Sequence, residues 1–498
     1  MNWHWINWVV IFIYFLGIVG IGIYFSKKNE STSDYFRGAG KIPAWVTACS
    51  IYATALSSLS FMAIPVSIFK NGWIMGMAPL GVILMVLWSA KTFVPFFRSL
   101  EVETAYEYLE KRFDKKFRFI GSITFIVFHI IRIAIILYLP ILALTVVLPR
   151  INPMFLVGIV GFLCVTYTSL GGIKAVVWSD AIQTIVLLFG AAIITISGII
   201  KLPTDIKVFE ALNRADKIIT PDMFSLNLAG KTLIGIIIGG FLSSIYAYVG
   251  SQDIVQRYST TKSVEEAKKS LYMNIPLLLT SIIIFLGMGS GLYLFFTYSQ
   301  TLPKNISGNA ILPYFVVNYI PTGLSGLVIA AIFAATQSTV SSSLNSVAIC
   351  IAADIVKPFY KIMDDKLELK IGKYSSWVVG SISSVLAFRF LKVGQGDIFL
   401  YFQSITGLLG GPIAGLFLVG IFIEKATSKD AWVGFLISII LALYIGNPMN
   451  IMNLLPGYSK PQIFEFLVSL VIIGSCIVFS WISSKIGSCM KSESLKRL

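Results

Sequence analysis

The stretch IVFHIIRIAIILYLPILALTVVL, residues 126–148, is apolar over a length sufficient to cross a lipid bilayer. Its one charged residue is Arg132, which lies one helical turn after His129. A guanidinium keeps its proton in a protein and is costly to bury without a partner. The stretch therefore predicts a membrane-spanning helix whose central arginine requires a compensating group.

The composition extends this prediction to the whole chain. Of its 498 residues 56% are hydrophobic and 13% are charged, whereas soluble domains average about 25% charged residues. Five cysteines without paired spacing and two histidines favour neither a disulfide framework nor a histidine metal cluster. We expect an all-α integral membrane protein that is not an enzyme, because no nucleophile–base pair stands out.

Thirteen apolar runs predict about 13 transmembrane helices. The first run lacks a basic leader and a small-residue cleavage site, so we expect it to be a retained span. The predicted spans are 8–25, 43–68, 73–97, 119–148, 154–172, 176–200, 231–250, 273–298, 321–352, 374–390, 398–422, 430–446 and 463–483.

Lysine and arginine predict the orientation of the chain in the membrane. Twenty-six of the 39 basic residues lie in alternate connections and in the C-terminal tail. By the positive-inside rule these segments face the cytoplasm, so the N-terminus is predicted outside and the C-terminus inside. This distribution also accounts for the net charge of +15 without a nucleic-acid partner.

Arg132 allows two interpretations. It is either one partner of a structural salt bridge between spans or a binding group for an anionic substrate. We favour the substrate, because Asp180, Asp253 and Asp354 are predicted at the inner ends of their spans and not at the depth of Arg132. For His129 we favour a packed side chain hydrogen-bonded to a neighbouring helix over a proton relay.

Two hydroxyl-rich segments lie within predicted spans. They are ATALSSLS (53–60) and AATQSTVSSSLNS (334–346). Small and hydroxyl residues allow close helix packing, but they also supply hard oxygen ligands, which suit Na⁺ where a helix unwinds. Four polar residues of the second segment share one helical face: Ser338, Ser341, Ser342 and Asn345. Asp180 adds one carboxylate.

Two longer motifs, GGIKAVVWSDAIQ (171–183) and SQDIVQRY (251–258), resemble the sodium:solute symporter family. Three further segments, 34–65, 128–139 and 327–346, resemble its bacterial sodium-coupled sialic acid symporters. The resemblance covers nearly the whole chain. It implies a secondary active symporter that imports sialic acid with the sodium gradient, in the bacterial cytoplasmic membrane.

The resemblance also implies a LeuT-like core of two inverted five-helix repeats. Residues 1–42 would form a leading helix and the first inner loop, followed by the first repeat at 43–200. An outer loop at 201–230 would precede the second repeat at 231–422, and 423–498 would form two C-terminal helices and a short tail. YATALSS and GGFLSSIYAYVG, midway along the first span of each half, are predicted to unwind.

The resemblance implies two sodium ions and no organic cofactor. The first ion would bind the carbonyls of Ala53, Leu56 and Ala335 and the hydroxyls of Ser338 and Thr339. The ligands of the second ion would be Asp180, Ser338, Ser341 and Ser342.

For the substrate, the resemblance places Arg132 opposite the sialate carboxylate, together with Ser57 and Ser60. The residues expected to face the sugar are Ser244, Tyr248, Gln403 and, on the third span, Met75. Met75 and Pro79 depart from the aromatic and the amide expected in this branch, and Ala55 replaces a threonine.

Other functions remain open from the sequence. The same fold could carry proline, a neutral sugar or pantothenate, and a channel or a transporter-like sensor belongs to a different class. Arg132 argues against a neutral sugar. The expected partners are sodium, a sialic acid and the lipid bilayer, and we expect a monomer.

Overall fold

The computed structural model describes residues 3–26, 38–100, 102–225, 232–304, 306, 308–360, 364–393, 398–446, 461, 463 and 465–496. Parts of the segments assigned above to the first inner loop, the outer loop, the start of the second repeat and the C-terminal helices and tail lie outside the described residues. They include 27–37, 226–231 and 447–460.

The described residues form helices joined by short turns. The helices are α1 Trp5–Ser26, α2 Ala44–Ala55, α3 Ser58–Asn71, α4 Ala78–Lys91, α5 Phe93–Ser99, α6 Ala105–Arg112, α7 Lys115–Val147, α8 Pro153–Ile200, α9 Val208–Arg214, α10 Leu233–Ile245, α11 Gln252–Tyr258, α12 Val264–Tyr272, α13 Asn274–Leu294, α14 Ile311–Tyr319, α15 Leu324–Cys350, α16 Asp365–Val393, α17 Ile398–Ile405, α18 Gly411–Phe422, α19 Ser428–Gly446 and α20 Val468–Lys496.

The predicted spans fall on these helices. Within the described residues, 10 helices are long and apolar enough to cross a membrane, or 11 when the bent pair α2–α3 counts as one span. The other two predicted spans lie on the shorter apolar helix Pro153–Thr166 and on α16. Gly172, with φ of +60°, breaks α8 where the sequence predicts the boundary between two spans. The total of 13 stays a prediction.

Helices α2 and α3 form one span that is broken in the middle. Their axes are bent by 59°, and Leu56 and Ser57 between them have extended backbone. The Ser57 hydroxyl accepts a hydrogen bond from the Leu59 amide at 3.2 Å, which caps the start of α3. The break confirms the predicted unwinding of YATALSS.

A second break follows α10. Residues Tyr246–Gly250 form a π-helical turn, Ser251 is extended, and α11 then continues with all seven of its residues buried. The span predicted at 231–250 coincides with Leu233–Gly250, which is long and apolar enough to cross a membrane. The buried helix α11 lies in the segment 251–272, which the sequence predicts as an inner connection and not as a buried helix. The polar residues of SQDIVQRY lower the local hydropathy, but their side chains form hydrogen bonds and ion pairs inside the protein.

Helix α15 lies at the centre of the molecule. Every residue from Val328 to Cys350 is buried, and the helix packs against α8, α7 and α1. Asp114 caps the start of helix α7, and its carboxylate accepts hydrogen bonds from the amides of Lys116 and Phe117. Partial burial raises the pKa of Asp114, but these bonds and that from Ser428 outweigh it and leave the pKa below its ordinary value. Both helices also pack against the broken span, α15 against α2 and α3, and α7 against α3.

Candidate cation and substrate site

Arg132 has two partners within the protein. Its Nη1 donates to Oδ2 of Asp253 at 2.8 Å, and its Nη2 donates to the carbonyl oxygen of Thr54 at 2.7 Å. The prediction that no carboxylate lies at the depth of Arg132 is therefore wrong, because the break before α11 brings Asp253 to it. The contact with Thr54 lies at the C-terminal end of α2, where a cation is favoured by the helix dipole.

His129 lies one turn before Arg132 and is fully buried. Its Nε2 lies 3.4 Å from the Ser251 hydroxyl, and that hydroxyl donates to Oδ1 of Asp253 at 2.6 Å. The ring packs against Phe125 with centroids 4.1 Å apart. These contacts confirm a packed histidine hydrogen-bonded to a neighbouring segment, and they extend the network around Asp253.

Four of the five groups predicted for the first sodium site converge at the end of α2. The Ser338 hydroxyl lies 3.0 Å from the Ala53 carbonyl and 3.2 Å from the Ala335 carbonyl. The Thr339 hydroxyl lies 3.4 and 3.3 Å from the same two oxygens. Leu56, the fifth, caps α2 through its amide, which donates to the Tyr52 carbonyl. The broken span and α15 thus meet through oxygen atoms.

Two of the four residues predicted for the second sodium site, Asp180 and Ser342, contact a buried arginine. The Nη2 of Arg257 lies 3.2 Å from Oδ2 of Asp180 and also donates to the Ser342 hydroxyl. Ser50 donates to the same carboxylate oxygen at 2.5 Å. Ser341, which directly precedes Ser342 in α15, donates to the Ser338 carbonyl one turn earlier, at 3.2 Å. Asp180 and Ser342 are brought together, with Arg257 between them.

Arg257 and Asp253 are two charged residues of the site that were not predicted from the sequence. Arg257 was counted among the basic residues of an inner loop, yet it is fully buried, as is Asp180. One sequence signal could have found them, because an aspartate and an arginine four residues apart share one face of a helix. This inference requires that SQDIVQRY be recognised as a helix and not as a loop.

The remaining predicted substrate residues are distributed over four segments of the chain. Ser57 lies at the break before α3 and is buried, while Ser60, one turn into α3, is partly exposed. Ser244 donates to the Phe241 carbonyl at 2.7 Å within α10. The other three lie in separate elements: Tyr248 in the π-helical turn, Met75 in the short helix Trp73–Gly76, and Gln403 in α17.

The donor set determines which cation the site suits. In the described parts of the chain, no group of three or more His, Cys, Asp or Glu side chains could hold a metal ion. The converging ligands are hydroxyl and carbonyl oxygens, which favour hard cations over the transition metals that imidazole and thiolate bind. The chemistry of these donors is therefore that of a site for a hard cation.

A helical membrane protein with two broken spans, a polar central helix and a buried guanidinium between them has the architecture of a secondary transporter. The profile of the Sodium:solute symporter family matches residues 35–438. The chain belongs to this family, and it is a multi-pass membrane transporter with a LeuT-like fold.

Three curated relatives are similar over most of their length. The sodium/sialic acid symporter NanT of Aliivibrio fischeri is 38% identical over 447 residues, which cover 88% of this chain and 87% of that protein. The sodium/sialic acid symporter SiaT of Proteus mirabilis is 38% identical over 450 residues, which cover 89% and 90%. The human sodium-coupled monocarboxylate transporter 1 is 31% identical over 456 residues, covering 89% of this chain and 73% of that one.

A solved structure of a Na⁺-coupled sialic acid symporter, in a substrate-bound outward-open state, superposes with a TM-score of 0.88. It is 35% identical in sequence, and the match covers 97% of this chain and 98% of the other. The nucleobase-cation-symport-1 family transporter Mhp1 superposes with a TM-score of 0.55 at 15% identity, which shows a shared fold alone.

Proposed function

We propose that the protein imports sialic acid, N-acetylneuraminate and related sialates, with energy from the sodium gradient. One observation carries the proposal. The carbonyls of two consecutive residues, Ala53 and Thr54, point to different groups: the first to the hydroxyls of Ser338 and Thr339, the second to the guanidinium of Arg132. Ligands for a cation and for an anion therefore meet at the same helix break.

Sodium binds first in this proposal. A cation held by the Ala53 and Ala335 carbonyls with the Ser338 and Thr339 hydroxyls would hold the end of α2 against α15. The hydrogen bonds that now join these groups have lengths of 3.0–3.4 Å, so a small rearrangement would direct the oxygens at an ion. The Leu56 carbonyl, at the break itself, would complete the ligand set.

The sialate carboxylate then binds near Arg132. The guanidinium uses Nη1 and Nη2 for Asp253 and Thr54, whereas its buried Nε has no hydrogen-bond partner among the described residues. A buried donor without a partner is costly, and a carboxylate oxygen would satisfy it. Ser57 and Ser60, at the start of α3, would add donors near the positive end of that helix dipole.

The rest of the sugar would lie between the broken spans. Ser244 and Tyr248 come from the second broken span, Gln403 from α17 and Met75 from the turn before α4. The first inverted repeat at 43–200 and the second at 231–422 would then rock around this site to give alternating access. The observed breaks in the first span of each half support this division.

A second sodium ion accompanies each sialate in this proposal. Asp180 supplies the negative charge for it, together with hydroxyls of Ser338, Ser341 and Ser342. The Oδ1 of Asp180 is buried and accepts no hydrogen bond from any described residue. A buried carboxylate oxygen with that property is a suitable ligand for a cation.

The proposal is tested by ligand-dependent stabilisation of the purified chain. A ligand at about 100 times its Kd stabilises the native state by about 2.7 kcal/mol. We expect N-acetylneuraminate to raise the melting temperature in sodium chloride and to have little effect in choline chloride. Proline, glucose and pantothenate serve as matched comparison solutes. Stabilisation by one of them in place of the sialate would contradict the proposed substrate.

A further inference from the structure

The polar face of helix α15 continues beyond the residues of the two proposed sodium sites. One turn after Ser341 and Ser342 come Asn345 and Ser346, and both are at most 2% exposed. The rest of the helix, residues 347–350, is apolar. Asn345 and Ser346 are therefore the last polar side chains of α15 before the end that the sequence predicts to face the cytoplasm.

Helix α11 packs against this part of α15 with polar side chains of its own. Oε1 of Gln256 accepts hydrogen bonds from the Ser346 hydroxyl at 2.9 Å and from Nδ2 of Asn345 at 3.4 Å. The neighbouring Arg257 donates to the Ser342 hydroxyl, one turn earlier on α15. The two helices thus meet in two successive polar layers, and the three side chains of the second layer are uncharged.

One oxygen atom of the second layer is unused. Oδ1 of Asn345 is buried and has no hydrogen-bond partner among the described residues. A buried acceptor in this state costs free energy that a ligand would recover. Together with Oε1 of Gln256 and the Ser346 hydroxyl, it provides three neutral oxygen atoms, and oxygen ligands suit hard cations.

These three oxygens are suited to binding sodium weakly. The proposed second sodium site includes the carboxylate of Asp180, whereas this layer offers amide and hydroxyl oxygens alone. An ion on a pathway must be bound well enough to enter each position and weakly enough to leave it. A weak position about 5.4 Å further along the helix axis, which is one turn, meets this requirement.

We infer that Asn345, Gln256 and Ser346 form a transit site for sodium, which the ion occupies between the second sodium site and the cytoplasm. This inference rests on the proposed function and on the predicted orientation. As the ion passes, the two hydrogen bonds to Oε1 of Gln256 would be exchanged for contacts with the ion. The transit site would lower the barrier to sodium release without belonging to either set of coupling ligands.

Two transport modes separate this role from a structural one. Net uptake of N-acetylneuraminate requires sodium to leave the protein on the inside in every cycle. Exchange of labelled for unlabelled N-acetylneuraminate, with saturating sodium on both sides of the membrane, requires no net release of sodium. A variant that slows sodium release should therefore slow net uptake and leave exchange unchanged.

The variant Asn345→Leu removes the unused oxygen and keeps a side chain of similar size. In proteoliposomes that contain the full-length chain, we expect net uptake to slow about tenfold, which corresponds to a barrier raised by about 1.4 kcal/mol. The rate of exchange should equal that of the wild type. The sodium concentration for half-maximal sialate binding should also stay the same, because the ligands of both coupling sites are intact.

Two further variants and a control accompany this measurement. Gln256→Leu removes the oxygen contributed by α11 and should give the same pattern. Asn345→Asp keeps Oδ1 and adds a negative charge, so sodium inside the proteoliposomes should inhibit net uptake at a lower concentration than in the wild type. Ser343→Ala removes another buried hydroxyl of α15 and should change neither net uptake nor exchange.

An equal fall of net uptake and exchange in Asn345→Leu would overturn the inference, since Asn345 would then only support the packing of α11 and α15. Net uptake at the wild-type rate would overturn it as well. If Asn345→Leu does not fold, Gln256→Leu decides, and unfolding of both variants counts against the transit site. A wild-type chain without sodium-dependent uptake contradicts the proposed function instead, so the two failures can be distinguished.

Discussion

The role that can be inferred for Arg132 depends on the groups that contact it. The sequence indicates a charge inside the membrane that needs compensation, and the structure gives it Asp253 and the Thr54 carbonyl. The role we propose for it as a sialate ligand would therefore add to a structural role and not replace one. Removal of Arg132 alone would leave Asp253 buried without its partner, which typically costs about 3–5 kcal/mol.

Ser338 offers a sharper test at the scale of a residue, because its hydroxyl belongs to both proposed sodium sites. Ser338→Ala should raise the sodium concentration for half-maximal sialate uptake at least tenfold, if the lost contact to the ion is comparable with a hydrogen bond to a charged group, which is worth about 1.5–3 kcal/mol. Uptake at a series of sodium concentrations measures this shift.

The matched control is Ser343→Ala on the same helix. Its hydroxyl is buried and has no hydrogen-bond partner among the described residues, so we expect the sodium dependence of uptake to stay unchanged. An equal shift in the two variants would mean that α15 responds to any lost hydroxyl, and the proposed ligand role of Ser338 would be wrong.

At the scale of elements, the helices could be predicted from the sequence and the charge pairing could not. Apolar runs of about 20 residues predict spans well, and the break at Leu56–Ser57 lies in a segment whose small and hydroxyl residues predict it. Helix α11 was not predicted as a buried helix, because charged residues such as Asp253 and Arg257 give a low hydropathy that is typical of the protein surface. Only the tertiary structure shows that their partners come from α7 and α8.

The crossing of α4 and α10 gives a prediction at this scale. A Cβ at Gly240 would lie closer to the Ala78 carbonyl than real Cβ contacts allow, and a Cβ at Gly81 would meet the Ile237 carbonyl in the same way. Gly240→Ala should therefore lower the stability by about 1–3 kcal/mol through overpacking. Thermal melting in detergent measures the loss.

Gly20→Ala in α1 is the control, because a Cβ there would meet no atom within 4 Å. Alanine is the better helix former, so this variant should melt at the wild-type temperature or slightly above it. If Gly240→Ala melts like Gly20→Ala, α4 and α10 are not held together by their close approach.

At the scale of the whole molecule, the sequence predicts the class and the direction of transport, while the number of ions depends on geometry. One sodium ion per sialate would move no net charge, whereas two would move one positive charge inward. Each such charge gains about 2.3 kcal/mol per 100 mV of membrane potential. The charges of Arg132, Asp253, Asp180 and Arg257 are balanced within the protein and add nothing to this driving force.

The most direct test of sodium-driven sialate import is uptake of labelled N-acetylneuraminate into proteoliposomes that contain the purified chain. An inward sodium gradient should drive accumulation above the external concentration, and a membrane potential negative inside should increase it if two ions accompany each sialate. Accumulation that is the same with potassium in place of sodium would contradict the account.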